Sequence, residues 1–160
     1  FDGPYSVMGA MEKIPLVFLD GPRDATMNVV PVDYVVEGLA RLSASSWSLG
    51  RTYNLTDPDG KDVRTLTRLM AKALGRSYLF VPLPLSLVRA AVSIPLVKST
   101  LGLIPESIAY FGHRCRYDAS LAKADLATLG LTCPPVETYI DNIVRFFRAN
   151  RDRVRKTAMV

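Results

Sequence analysis

Between residues 27 and 75 the hydrophobic pattern switches repeatedly between strand and helix periods. This alternation constrains the fold more than any other stretch. Residues 27–32 are apolar and β-branched, the composition of a strand. Asp33 stands where a helix N-cap belongs, and Val35, Val36, Leu39 and Leu42 follow at helical spacing. The polar stretch 43–48 should end that helix. Residues 52–55 read as a second strand and Asp57-Pro58-Asp59-Gly60 as a turn. Asp62 should cap a helix over 63–74, closed by Gly75 in the left-handed conformation. Its inner stripe is Val63, Leu66, Leu69/Met70 and Ala73. Its outer face carries Arg64, Arg68 and Lys72, a row that is either solvated or meets an acidic partner. Strand–helix–strand–helix is the crossover unit of α/β proteins, in which consecutive strands lie parallel under packed helices.

The flanking sequence adds shorter elements. Residues 4–13 have a helical stripe of Tyr5, Met8 and Met11, with Pro4 suited to a first turn. A strand over 16–19 runs into the turn Asp20-Gly21-Pro22. Residues 77–81 suit one more strand. Residues 84–111 are apolar and interrupted by Pro95 and Pro105, which predicts two or three short helices. Residues 114–117 should be extended, and Asp118 should cap a helix through Ala127 that closes near Gly130. Pro134-Pro135 should open a last helix with the stripe Val136, Tyr139/Ile140, Ile143/Val144 and Phe147. Residues 1–150 then form one folded unit, and 151–160 a basic tail.

Charge and composition exclude several classes. With 160 residues, 49% of them hydrophobic, the chain can bury one core but not two comfortable ones. The net charge of +5 is local. Arg145, Arg148, Arg151, Arg153, Arg155 and Lys156 stand against Asp152 alone, which leaves 14 of the 20 basic and 14 of the 15 acidic groups elsewhere. A nucleic-acid groove across the body is therefore not expected. Cys115 and Cys133 are too few for a disulfide scaffold or a four-cysteine zinc site, and read as reduced thiols in a cytoplasmic protein. His113 alone makes no histidine-rich metal centre. The longest uncharged run, residues 77–88, holds Pro82 and Pro84 and falls short of the ~20 residues of a membrane span. The start, Phe1-Asp2-Gly3-Pro4, has no signal-peptide character and no initiator Met, as expected of a piece of a longer protein.

Catalytic templates are absent from the sequence. It contains no Gly-x-Gly-x-x-Gly, no phosphate loop ending in Gly-Lys-Ser/Thr and no Gly-x-Ser-x-Gly. Asp57, Asp59 and Asp62 lack the spacing of a calcium loop. Asn54-Leu55-Thr56 matches a glycosylation sequon, by chance in a cytoplasmic strand.

The segment Met27-Asn28-Val29-Val30-Pro31-Val32-Asp33-Tyr34-Val35-Val36-Glu37-Gly38 resembles one in the extended short-chain dehydrogenases/reductases, the epimerase/dehydratase superfamily. Thr52-Tyr53-Asn54-Leu55-Thr56-Asp57-Pro58 is similar to a late strand of that family. Asp118, Leu121-Ala122-Lys123-Ala124, Leu129-Gly130-Leu131, Cys133-Pro134-Pro135 and Tyr139-Ile140 resemble its C-terminal helices. Phe1-Asp2-Gly3-Pro4-Tyr5 looks like the branch with thioester and fatty-acyl reductases. The resemblance covers nearly the whole chain except 84–111 and the tail.

It implies an α/β fold: the C-terminal portion of a Rossmann-like NAD(P)-binding fold plus a small, mainly helical substrate-side lobe. The parent would use NAD or NADP, held by an N-terminal dinucleotide-binding half. The family's Tyr-x-x-x-Lys pair is not found at Tyr5, Tyr34, Tyr53, Tyr78, Tyr110, Tyr117 or Tyr139. The resemblance thus assigns no catalytic, cofactor-binding or metal residue here, and implies a fragment inert alone. Nucleotide-sugar epimerases commonly carry an Arg six residues before the strand's Asp; here that position is Met27, with Arg23 on the preceding turn. A Met offers soft apolar contact rather than a phosphate partner. The expected substrate is therefore apolar: a carbonyl, an alcohol or an acyl thioester. The candidate substrate contacts are Tyr5, Met8, Arg23 and Met27. A nucleotide-sugar epimerase or dehydratase fragment is the first alternative. The second is a non-catalytic module docking on a protein or an anionic membrane through 84–111 and the tail. A half-fold would also leave a sheet edge uncovered and favour self-association.

Overall fold

The computed structural model describes residues 4–17, 26–101 and 115–157. The architecture is α/β, mostly helical with a small amount of sheet. Its elements are α1 (Pro4–Lys13), β1 (Leu16–Val17), β2 (Thr26–Met27), α2 (Val32–Ser43), β3 (Lys61–Asp62), α3 (Val63–Ala73), β4 (Leu79–Phe80), α4 (Leu85–Val92), α5 (Pro95–Leu101), α6 (Ser120–Thr128) and α7 (Ile140–Thr157). Short 3-10 turns lie at Ser46–Ser48 and Val136–Thr138. Among the described residues no helix is long and apolar enough to cross a membrane.

The main core gathers the stripes read from the sequence. Met8 and Met11 of α1 and Val17 of β1 pack with Leu66, Met70, Ala71 and Leu74 around α3. Val136 and α7's Ile140, Val144 and Phe147 close the other side. A second cluster joins Val63 to Val88 and Val92 of α4. A third joins Tyr34 and Leu42 of α2 to Leu126 of α6. Helix α3 begins as its sequence predicts. An Asp62 carboxylate oxygen accepts from Thr65 N at 3.0 Å, and the Thr65 hydroxyl donates to the other oxygen at 2.5 Å. The helix stops before Gly75, whose φ of 64° is left-handed and open to a residue without a Cβ.

The sheet departs from the expected crossover unit. Strands β2 and β3 pair antiparallel, Thr26 opposite Asp62 and Met27 opposite Lys61. The parallel pair is β1 with β4, Leu16 opposite Leu79 and Val17 opposite Phe80. Residues 52–55 are not a strand. They are extended, with Tyr53 and Leu55 turned toward the third cluster and Thr52 and Asn54 exposed, but no backbone ladder forms along them among the described residues. Side chains tie this segment instead: Tyr53 Oη donates to Asp125 at 2.8 Å and Asn54 Nδ2 to the Asp118 carbonyl at 2.9 Å. Alternating burial is legible locally, whereas a strand also needs a neighbour in register.

Smaller corrections concern caps. Asp33 is not the N-cap of α2: Pro31 holds that position with extended backbone and no side-chain cap, which puts Asp33 inside the first turn. There its carboxylate favours the positive end of the helix dipole. Asp118 accepts from Ser120 N at 2.9 Å, although Ala119 occupies the cap position of α6. A 3-10 turn at Val136–Thr138 precedes the last helix, whose backbone continues to Thr157 through the basic stretch. Of the apolar region 84–111, helices α4 and α5 are seen and 102–111 lie outside the described residues.

Candidate functional site

Thr26 of β2 and Asn28 just after it build one wall of a polar cleft of ≈ 270 Å³. Period-two alternation sends the Thr26 and Asn28 side chains to the cleft, while Met27 between them packs on the main core and on the α4 cluster. The turn Asp57-Pro58-Asp59-Gly60 forms the second wall, and Arg116 and Tyr117 the third. The turn is held by its own chemistry. The Asp57 carboxylate accepts from Asp59 N at 2.9 Å, an Asx turn that positions both aspartates. Gly60 lets the turn lie close to β2: a Cβ there would meet Asn28 Oδ1 at 3.2 Å and the Met27 carbonyl at 3.5 Å. The third wall is tied in where Thr26 Oγ1 donates to the Cys115 carbonyl at 3.4 Å.

Asp57 is buried and governs the electrostatics behind the cleft. Burial first, then the Asp57 and Asp59 carboxylates, push the Cys133 thiol up to about 11. Burial, with Asp57, Cys133 and Glu137, drives the Tyr139 phenol upward, and burial with Cys133 and Asp57 does the same for Tyr34. All three groups are therefore protonated at neutral pH. Cys133 is not a thiolate nucleophile. Tyr139 is committed as a donor to the Val29 carbonyl at 2.7 Å. The Thr56 hydroxyl beside Asp57 is buried with no hydrogen-bond partner among the described residues.

At the rim, Lys61 pairs with Glu137 at 3.4 Å, and Lys123 reaches Asp59 at 4.0 Å. Arg116 lies near Asp118, whose carboxyl is held below its ordinary range chiefly by hydrogen bonds from Ser120. The cleft thus offers carboxylate acceptors, a hydroxyl, an amide, a phenol and a guanidinium. This set suits hydrogen bonding to a polar group. Among the described residues it contains no nucleophile–base pair and no group of three metal-ligating side chains.

The sequence-derived contacts fall elsewhere. Met8 is fully buried in the main core. Tyr5 is half-buried against the same core, its ring centroid 5.9 Å from that of Phe146. Met27 is half-buried and bridges two apolar clusters. These three share one hydrophobic body, and none lines the cleft. Arg23 lies outside the described residues. Sequence reasoning missed Thr26, Asn28, Arg116 and Tyr117, and took residues 57–60 for a turn only. Strand alternation around Met27 could have flagged Thr26 and Asn28. No local signal marks Arg116 and Tyr117, which long-range packing brings to the cleft.

Two helix starts carry a carboxylate that opposes a pyrophosphate: Asp62 closes the first turn of α3, and Asp33 lies in the first turn of α2.

No protein-family model matches the chain, and no curated protein matches it. Among solved structures it is similar to the terminal R domain from the myxalamid PKS-NRPS biosynthetic pathway. The TM-score is 0.63 with 23% sequence identity, over 94% of this chain and 38% of that one. The likeness is one of fold, and the chain spans well under half the length of that neighbour.

Proposed function

We propose that this chain is the substrate-side part of an NAD(P)-dependent reductase of the short-chain dehydrogenase/reductase kind. Its substrate would be an apolar carbonyl, alcohol or acyl thioester. The observation that carries the reading is the likeness over 94% of the chain to a terminal R domain. The order of sequence motifs resembling the same superfamily supports it independently.

In this reading the nicotinamide cofactor supplies the hydride and is held by residues outside this sequence, a reading that the carboxylates at the starts of α2 and α3 support. The Rossmann-like sheet would then be completed by strands that extend the β1–β4 parallel pair, since a two-stranded sheet has edges open to further pairing and is marginal alone. The cleft would receive the polar end of the substrate: Asn28 and Thr26 hydrogen-bond it, and Arg116 favours an electron-rich oxygen. Tyr5 and Met27 remain the candidate apolar contacts. The proposed role of the chain is to bind and orient, not to transfer the proton or hydride.

The test uses the whole parent protein. NADPH and NADH consumption is followed with an acyl thioester, a long-chain aldehyde and a nucleotide sugar. Oxidation of either cofactor with the thioester or aldehyde is expected. Turnover of the nucleotide sugar alone would overturn the reading.

A further inference from the structure

Acidic and basic residues are balanced outside 145–156, but they are not evenly placed. Residues 63–105 hold six Arg and Lys and no Asp or Glu. Helices α4 and α5 lie in this stretch, and their only charged residues are Arg89 and Lys98, both exposed. Among the described residues neither has a carboxylate partner. Every charge on this part of the surface is therefore positive and uncompensated.

Helix α4 is apolar on two sides. Val88 and Val92 turn inward and pack with Val63. Leu87, 56% exposed, and Ala90 lie on the opposite side at helical spacing. Ile94, between the two helices, is 52% exposed, and Leu96 in the first turn of α5 is 74% exposed. A helix apolar all round is normally covered. The hydroxyls beside these side chains do not reach outward. Ser93 Oγ donates to the Arg89 carbonyl at 2.8 Å, and Ser99 Oγ to the Leu96 carbonyl at 3.0 Å. Both donors are satisfied by their own helical turns, a state that tolerates an apolar medium.

We infer that the α4–α5 pair is a docking surface for an anionic lipid bilayer. Leu87, Ile94 and Leu96 enter the boundary of the acyl chains, and the long stems of Arg89 and Lys98 carry their charges to the lipid phosphates. Other occupants fit this surface less well. A second copy would set its cations against those of the first. A protein partner forms about one hydrogen bond per 100–200 Å² of interface, and the two serine hydroxyls are already engaged. A nucleic acid binds through its phosphates and gains nothing from three exposed aliphatic side chains. The apolar substrate proposed above also concentrates in bilayers. That last argument rests on the reductase reading, whereas the exposure and the charge stand without it.

The test is co-sedimentation of the whole parent protein with phosphatidylcholine vesicles containing about 30% phosphatidylglycerol. Binding is expected to these vesicles and not to pure phosphatidylcholine, and it should weaken at high salt. Arg89→Glu/Lys98→Glu should weaken it about 25-fold or more, at about fivefold per cation. Leu87→Ser/Leu96→Ser should weaken it about tenfold or more. Circular dichroism checks the fold of each variant. Should one unfold, Lys98→Glu or Leu96→Ser alone replaces it, with a loss of about fivefold expected. Neutralising the tail by Arg153→Gln/Arg155→Gln/Lys156→Gln should leave the sensitivity to the α4–α5 substitutions intact. No binding by the parent protein would overturn the inference. So would binding that survives the α4–α5 substitutions and disappears only with the tail charges. A dimer in vesicle-free solution that Leu87→Ser/Leu96→Ser dissolves would assign the face to a second copy and overturn it as well. Oxidation of NADPH and NADH is followed on the same preparations, so a failure to dock and a failure of the reductase reading are separate results.

Discussion

Tyr139 Oη donates to the backbone carbonyl of Val29 across 2.7 Å, joining the start of the last helix to the segment between β2 and α2. The contact joins residues 110 positions apart in the sequence. Tyr139→Phe removes the donor and leaves a half-buried carbonyl unpaired. A loss of about 1–2 kcal/mol is expected, read as a lower urea midpoint at unchanged slope. An unchanged midpoint would mean that water replaces the phenol at no cost.

Cys133 supplies a pH signature. Its thiol titrates near 9.0 when unfolded and is pushed up to about 11 in the fold, so the folded state favours the protonated form. That contribution is complete below pH 9 and fades as pH rises from about 9 to about 11. In the Cys133→Ala variant this part of the alkaline decline should vanish, with the Tyr139 and Tyr34 phenols adding their own losses at higher pH. In a Cys115→Ser background, Cys133 should also alkylate with iodoacetamide about a hundredfold more slowly at pH 8 than a free thiol of ordinary pKa. Labelling at the free-thiol rate would contradict the buried, acid-flanked environment.

The Asp62 cap is testable by replacement. Asp62→Ala should cost about 1 kcal/mol, and Asp62→Asn much less, because the amide oxygen still accepts from Thr65 N. Burial draws the Asp62 carboxyl up, but hydrogen bonds from Thr65 and the backbone outweigh it and leave the group below its usual range. Its contribution is therefore present above the ordinary carboxylate pKa of 3.8 and lost as pH falls through the lowered value. The acid limb of the stability curve should be shallower in Asp62→Asn.

Adjacent phenylalanines should behave oppositely. Phe147 is 2% exposed in the main core, whereas Phe146 is 49% exposed with its ring beside Tyr5. Phe147→Ala should cost about 3–5 kcal/mol and may be compared by thermal melting with Phe146→Ala, expected near 1 kcal/mol or below. Similar costs for the two would reverse the assigned facing of α7.

At the cleft, Gly60→Ala brings a methyl to 3.2 Å of Asn28 Oδ1. The amide must shift by a few tenths of an ångström, so the fold should survive while the cleft narrows. If the cleft receives substrate as proposed, the parent protein should show a higher KM with little change in melting temperature. A large loss of stability with KM unchanged would show that the turn only packs and does not receive substrate.

Helix positions were the most legible part of the sequence. Asp62 and Gly75 bracket α3 by short-range chemistry, and the stripe Val136, Ile140, Val144 and Phe147 marks the buried face of the last helix by its period. Strand pairing was not legible. Residues 52–55 carry the alternating burial of a strand without its ladder, and residues 26–27 pair antiparallel with a segment that reads as part of a turn and cap. The site was legible only in fragments. Thr26 and Asn28 are one alternation away from Met27, yet the candidate contacts Tyr5, Met8, Arg23 and Met27 were placed on the opening helix and first strand by resemblance; Met8 lies in the core and Met27 is half-buried against it.

What the sequence by itself determined is what depends on neighbours within a turn or two of chain: the periods of the helices, the caps at Asp62, Gly75 and Gly130, and the confinement of net charge to residues 145–156. The tertiary structure alone decided which extended segments share hydrogen bonds, and that Arg116 and Tyr117 meet the Asp57–Gly60 turn. It also buried Cys133 and Tyr139 and set Asp57 near them, which together raise both. The physical reason is range. Capping and periodicity act over a few residues, whereas ladder pairing, burial and the field of a buried carboxylate depend on where distant parts of the chain come to rest.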